Sequence, residues 1–152
     1  HSLSIGAGLA ISNKKDKINS NVFVLIGDGE LNEGMIWEAV MFSSHNKLDN
    51  LIAIIDYNRL QGFGTTDEIL SLDPLKDKFQ SFGWYANEIN GHNMKEIINS
   101  LNNLPLEKNK PSVIIANTIK GKGVKSMENK IHSHYEVLSE SRYDEIMEEL
   151  SK

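Results

Sequence analysis

The 152-residue chain has no cysteine, which excludes disulfides, thiolate metal sites and a cysteine nucleophile. It has no apolar run near the roughly 18 residues that a membrane-spanning helix needs, so a membrane is not an expected partner. No signal-peptide pattern opens it. It also lacks a basic excess. Lys and Arg number 16 against 21 Asp and Glu, giving a formal net charge of −5 and a pI of about 5.5. A non-specific nucleic-acid binder would show a basic face, so nucleic acid is not an expected partner either. The apolar share of 39% and charged share of 24% match a soluble chain with one packed core. The expectation is a cytoplasmic enzyme or subunit, with residues 1–152 as a single domain. The first residue is His1, and HSLSIGAGLA already reads as the interior of a domain, so residues are expected to be missing before it.

Along the chain, apolar strands alternate with helical patterns. NVFVLIGDGE is a short β-branched run that stops at Gly27-Asp28-Gly29, which predicts a buried strand ending in a tight turn. From about Glu33 to Asn46, Ile36, Trp37, Val40, Met41 and Ser44 recur at helical spacing. Asn50 to Asp56 reads as a second strand, followed by a Gly- and Thr-rich loop, QGFGTTDE. A helix is predicted from Asp73-Pro74 to about Phe82, with Asp73 as N-cap and Pro74 in the first helical position. Trp84 to Ile89 is a third strand. Asn93 to Leu104 is an amphipathic helix, with Ile97, Ile98, Leu101 and Leu104 on one face. Pro111 to Asn117 is a fourth strand. TIKGKGVKSMENKIHSH is too rich in Gly and Lys for a core element, and Ser141 caps a final helix to Leu150. Four strands alternating with helices, the strands near-continuously apolar, predict an α/β fold: a parallel sheet with helices on both faces.

In such sheets ligands bind beyond the carboxyl ends of the strands. Three strands end in polar or Gly-rich segments: Gly27-Asp28-Gly29, Asp56-Tyr57-Asn58, and Thr118 to Gly123. A parallel sheet brings these to one edge. A carboxylate, an amide and backbone groups are hard oxygen ligands, which suit Mg²⁺ or Ca²⁺ rather than zinc. Glycines beside Asp28 let a phosphate approach the backbone, and the following helix offers its N-terminus to an anion. Each feature alone is compatible with a structural role: GDG is a common turn, and Asn after a strand is a common turn former or cap.

The combination is more specific. GDGELNEGMIWEA, followed by NLIAIIDYNRLQ with thirty positions from Asp28 to Asn58, resembles the thiamine diphosphate-binding motif. WEAVMFSSHNKLDNLIAIIDYNRLQGFG, NEINGHN and TIKGKGVKSMENKIHSH resemble transketolase, and more narrowly the separate N-terminal subunit of a split transketolase. The resemblance covers essentially the whole chain and implies a thiamine diphosphate-binding fold, the diphosphate domain. It implies that Asp28 and Asn58 coordinate Mg²⁺ (Ca²⁺ can substitute) through side-chain oxygens and Leu60 through its carbonyl. Gly27 and Gly29 would line the diphosphate, and Ser2 to Gly6, including Ser4, would pass close to the cofactor. Lys120 and His134 match positions near the diphosphate and the substrate, and Glu33 an interface glutamate linked to a partner's site. Lys120 is also compatible with an ordinary surface lysine, Glu33 with a first-turn glutamate facing the helix dipole, and His132 competes with His134. Where relatives often carry Trp-His, this chain has Ser133-His134. His45 reads as structural and His92 as a support for a strand end; Trp37, Met41 and Phe42 read as core or subunit interface.

The implied activity is transfer of a two-carbon ketol unit from a ketose phosphate to an aldose acceptor. The family's pyrimidine-activating glutamate lies in a second domain, expected here on a C-terminal partner subunit in a hetero-oligomer, a dimer of such pairs. Other thiamine enzymes stay open: a deoxyxylulose phosphate synthase, or the α subunit of a 2-oxo acid dehydrogenase. So does a non-catalytic scaffold subunit.

Overall fold

A computed structural model describes residues 1–151. Helix α1 (Ser2–Lys15) opens the fold. Gly6 and Gly8 dilute the helical pattern of this segment in the sequence. Leu3, Ala7 and Ala10 are nonetheless spaced along one face, and all three are buried. Gly6 is needed for close approach: a Cβ there would overlap the Val24 side chain and sit 3.3 Å from Leu51 Cδ1.

Strands β1 (Val22–Gly27), β2 (Leu51–Tyr57), β5 (Tyr85–Asn90) and β6 (Ser112–Asn117) form a parallel sheet in the order β1-β2-β6-β5. β3 (Leu60–Gln61) and β4 (Gly64–Thr65) form a separate antiparallel hairpin inside the stretch read as a loop. Helix α3 (Thr66–Ile69) follows, closed by a capping box between Thr65 and Glu68.

The strand order dictates where the helices lie. The connections β1 to β2 and β2 to β5 step one way across the sheet, and β5 to β6 steps back. Right-handed crossovers then put α2 (Gly34–His45) and α4 (Leu75–Ser81) on one face and α5 (Met94–Asn102) on the other. The packing agrees. Leu3, Ile36, Val40, Phe79, Ile26 and Ile55 belong to one buried cluster, whereas Ile52, Ile89 and Ile114 form a second under Ile97 and Leu101. Coverage is uneven. α5 shields β5 and β6 but not β1, so Phe23 and Leu25 remain 51% and 71% exposed on that face.

Several details differ from the sequence reading. Asp73 does not cap α4; Pro74 takes the N-cap position with no side-chain cap bond. The Asp73 carboxylate accepts instead from Arg59 Nη1 at 2.8 Å and from Tyr57 Oη at 3.0 Å. The cap of α6 (Glu140–Leu150) is Ser139, whose hydroxyl accepts from the Arg142 amide, not Ser141. Ile98 is exposed rather than on the buried face of α5. On α2, Met41 and Phe42 are half exposed, whereas Trp37 packs into the core against Phe79 and Phe82 and donates to the Leu31 carbonyl. Among the described residues no helix is long and apolar enough to cross a membrane.

Candidate functional site

The register pairs Gly27 with Asp56, so the carboxyl ends of β1 and β2 lie side by side. Asp28, the next residue after β1, begins a five-residue 3-10 turn (Asp28–Asn32) and is 3% exposed. Asn58 follows β2. Between Asn58 and β3, Arg59 takes a left-handed conformation at φ +66, which reverses the backbone. Its amide then donates to Asp28 Oδ2 at 2.7 Å, and the next amide, of Leu60, donates to Asn58 Oδ1 at 3.0 Å. The Arg59 guanidinium points away, stacked 4.5 Å from the Tyr57 ring centre and paired with Asp73. The arginine therefore serves the site through its backbone.

This Tyr57–Arg59–Asp73 group gives a pH prediction. The Tyr57 phenol is pushed up to about 12, first by burial and then by its bond to Asp73. Because the folded value lies above the unfolded one, its contribution to stability is full below pH 10.0 and is lost as pH rises through about 12. In an ultraviolet titration of the folded chain, Tyr57→Phe should remove an ionisation near pH 12. Removal of an ionisation near the ordinary phenol value of 10.0 instead would refute the shielding of Tyr57 and its bond to Asp73.

A cleft of about 470 Å³ opens above the strand ends. Its walls include Gly27, Asp28, Gly29, Asn58, Leu60, Lys120 and His134. Seven of the residues singled out from the sequence thus meet in one place, though they come from four separate stretches of chain. His134 lines the cleft and His132 does not. The ring of His134 packs edge-on to Tyr135, 4.8 Å between centres. Two expected residues lie elsewhere. Ser4 is exposed on α1, outside the cleft; its neighbour Ser2 approaches the turn, donating from its amide and hydroxyl to Glu30 Oε1 at 3.1 and 2.7 Å. Glu33 is exposed at the junction of the turn and α2, makes no cap bond and is not in the cleft wall. Nor does the first turn of α2 line the cleft, so the anion-binding amides expected of it lie elsewhere. His45 is exposed at the end of α2, while His92 does support a strand end: its Nε2 accepts from the Ile119 amide at 2.8 Å.

The cleft also holds residues the sequence reading did not select: Glu30, Asp56, Gln61, Gly62 and Tyr135. Gly62 had a faint signal as a loop glycine; its reason is long-range, since a Cβ there would overlap the Tyr135 hydroxyl. Gln61 donates nothing from Nε2, which is buried without a partner, although its Oε1 accepts from Asn32 Nδ2 at 3.3 Å.

Burial sets the charge behaviour of Asp28. Asp28 is raised above its ordinary value of 3.8, chiefly by burial. The amides of Arg59 and Gly29 pull it down, Asp56 pushes it up, and Lys120 pulls it down less than Asp56 pushes. Burial and a second carboxylate nearby both favour the protonated form of Asp28. Among the described residues no group of three or more His, Asp or Glu is placed to hold a metal. The residues expected to offer hard oxygen atoms, Asp28, Asn58 and Leu60, all line the cleft, and one carboxylate with amide and carbonyl oxygens is a set that suits Mg²⁺, an ion that completes its shell with water and phosphate oxygens. The space suits the phosphates as well. A Cβ on Gly27 would meet nothing within 4 Å, so its lack of a side chain leaves the cleft open beside Asp28.

The family described as "Transketolase, thiamine diphosphate binding domain" matches residues 7–151. The chain is 44% identical over 152 residues to an apulose-4-phosphate transketolase subunit of Phocaeicola vulgatus, covering 100% of this chain and 54% of that protein. It is 43% identical over 149 residues to the 6-deoxy-6-sulfo-D-fructose transketolase subunit SqwG of a Clostridium species, covering 98% of this chain and 54% of that protein. Its fold matches the crystal structure of transketolase from Campylobacter jejuni with a TM-score of 0.89 and 30% identity, over 98% of this chain and 24% of the other. The chain spans about half the length of the curated relatives it matches.

Proposed function

The chain belongs to the transketolase family through its thiamine diphosphate-binding domain, and on that premise we propose that it is part of the N-terminal subunit of a split transketolase. The observation that carries this reading is the convergence of Asp28, Asn58, Leu60, Lys120 and His134 on one cleft in which the Asp28 carboxylate is buried. Asp28 and Asn58 would bind Mg²⁺ through side-chain oxygens and Leu60 through its carbonyl. Gly27 and Gly29 keep the wall free of side chains where the diphosphate would lie, and Lys120 offsets its charge. Thiamine diphosphate, when bound, supplies an electron-accepting thiazolium ring that permits cleavage of a carbon–carbon bond next to a carbonyl. His134 offers its imidazole to a hydroxyl of a sugar phosphate at the mouth of the cleft and can hold or release a proton there. The reaction is transfer of a two-carbon ketol unit from a ketose phosphate to an aldose acceptor. The pyrimidine end of the cofactor would be held by a C-terminal partner polypeptide. The names of three relatives support this, because they describe transketolase subunits.

The test is reconstitution. The chain should show no ketol transfer alone and gain it with its partner subunit, Mg²⁺ and thiamine diphosphate. In that complex His134→Ala should lower kcat by about 100-fold, the scale of a lost acid–base group, with cofactor affinity unchanged. Turnover by the chain alone would overturn the need for a partner. Oxidative decarboxylation of a 2-oxo acid would favour the dehydrogenase reading, and no turnover with any partner a scaffold.

A further inference from the structure

Lys120 lies in the cleft wall, yet its own stretch of chain does not explain how it stays there. After β6 the backbone leaves regular structure and turns at Gly121 and Gly123, whose φ angles are +75 and +103. A lysine on such a segment has both backbone and side-chain freedom to lose when it meets an anion. The two residues before it, however, are held from outside. Asp56, at the end of β2, accepts a hydrogen bond from the Thr118 hydroxyl. His92, in the turn after β5, accepts from the Ile119 amide through Nε2 at 2.8 Å.

The sheet order makes this pairing symmetrical. β6 lies between β2 and β5, so the continuation of β6 is held on one side from β2 and on the other from β5. Backbone bonds carry the ladder beyond the strands: the Thr118 amide donates to the Tyr57 carbonyl at 3.2 Å, and the Gly91 amide to the Asn117 carbonyl at 2.8 Å. Gly91 permits this approach, because a Cβ there would lie 3.1 Å from Ala116 Cβ and 3.2 Å from the Asn117 oxygen. His92 is itself oriented, its amide donating to Asn90 Oδ1 at 2.9 Å. An imidazole that accepts at Nε2 is the neutral form with its proton on Nδ1.

We propose that His92 and Asp56 are positioning residues that grip Thr118 and Ile119 from both flanks and so hold the Lys120 ammonium ready for the diphosphate of the cofactor. The proposal rests on the cofactor reading above. His92 lies outside the wall of the Asp28 cleft, though it lines an adjoining cavity with Asn58 and Lys120, and in this proposal it acts on the anion through the segment it holds. Asp56 lines the cleft and adds its negative charge beside Asp28, so the His92 arm is the cleaner test.

Two readouts separate the grip from its consequence. The first needs no ligand: exchange of the Ile119 amide with solvent, followed by nuclear magnetic resonance, should speed up in His92→Ala and recover in His92→Gln, whose Oε1 can accept in place of Nε2. The second is calorimetric titration of the complex of this chain and its partner with Mg²⁺ plus thiamine diphosphate, and in parallel with Mg²⁺ plus inorganic diphosphate. His92→Ala should weaken both by about tenfold, the scale of one lost hydrogen bond at a pre-ordered group. His92→Gln should restore affinity, which a merely destabilised fold would not do. In a Lys120→Ala background His92→Ala should have no further effect, because the two act in series. Unchanged affinity in His92→Ala, failure of Gln to rescue, or a full additive loss in the Lys120→Ala background would each overturn the proposal. If the unsubstituted complex binds inorganic diphosphate but not thiamine diphosphate, the cofactor reading falls and the grip is judged on the inorganic series. If it binds neither, both fall.

Discussion

Asp28→Asn should abolish Mg²⁺-dependent binding of thiamine diphosphate while making the ligand-free chain more stable, two effects of opposite sign from one atom. The loss follows from charge. Asp28 is the charged member of the proposed ligand set, and asparagine keeps the shape and the bond from the Arg59 amide but not the charge. A loss of at least about 100-fold, roughly 2.7 kcal/mol, is expected. The gain follows from burial. Asp28 is 3% exposed and its carboxyl is raised chiefly by desolvation. The folded chain therefore keeps the proton to higher pH than the unfolded chain, and stability due to this residue falls as pH climbs from 3.8 through the raised folded value. At neutral pH a neutral amide removes that penalty, on the order of 1 kcal/mol. Thermal melts of both proteins across pH, without ligand, measure the second effect, and calorimetry with Mg²⁺ the first. A less stable variant with intact cofactor affinity would make Asp28 an ordinary structural carboxylate.

Phe79→Ala carries the largest expected stability loss, about 3–5 kcal/mol by the usual cost of emptying an aromatic site in a core. Phe79 is fully buried on α4, 5.4 Å from the Trp37 ring and 5.6 Å, edge-on, from that of Trp84. The Trp84 indole in turn donates to the Val40 carbonyl at 2.9 Å, so one cluster joins α2, α4 and the start of β5. Both tryptophans of the chain touch Phe79, and urea unfolding followed by their fluorescence reports the cluster directly. A loss below about 1 kcal/mol would show that the surrounding side chains collapse into the space. Phe79 does not line the cleft, so the fraction that remains folded should bind cofactor with normal affinity. That separates core damage from site damage.

The two substitutions fall on either side of what could be read in advance. Strands Val22–Gly27, Leu51–Tyr57 and Ser112–Asn117 were visible as short apolar runs closed by polar or Gly-rich residues, and Tyr85–Asn90 answers to the strand expected from Trp84 to Ile89. Helix α2 was visible too, since its buried Ile36 and Val40 repeat at helical spacing. Helix α1 was not, because apart from Leu3 its buried side consists of Gly6, Ala7 and Ala10, and Gly6 and Gly8 dilute its helical pattern. The cap at Asp73 was misread for a different reason. Asp before Pro is a sound helix start locally, but the Arg59 guanidinium lies within 2.8 Å, and a charge-assisted bond outranks a cap.

The sequence by itself determined the alternation of strand and helix, and the pair Asp28 and Asn58 at two strand ends, because those depend on spacing along the chain and on residue type. Only the tertiary structure decided that β6 inserts between β2 and β5, that α5 leaves β1 uncovered, and that His134 rather than His132 faces the cleft. It alone joined Thr118 to Asp56 and Ile119 to His92, across 62 and 27 positions. Periodicity records what a residue meets one turn or one pleat away. Contacts at such separations are set by strand order and crossover handedness, which no local pattern encodes.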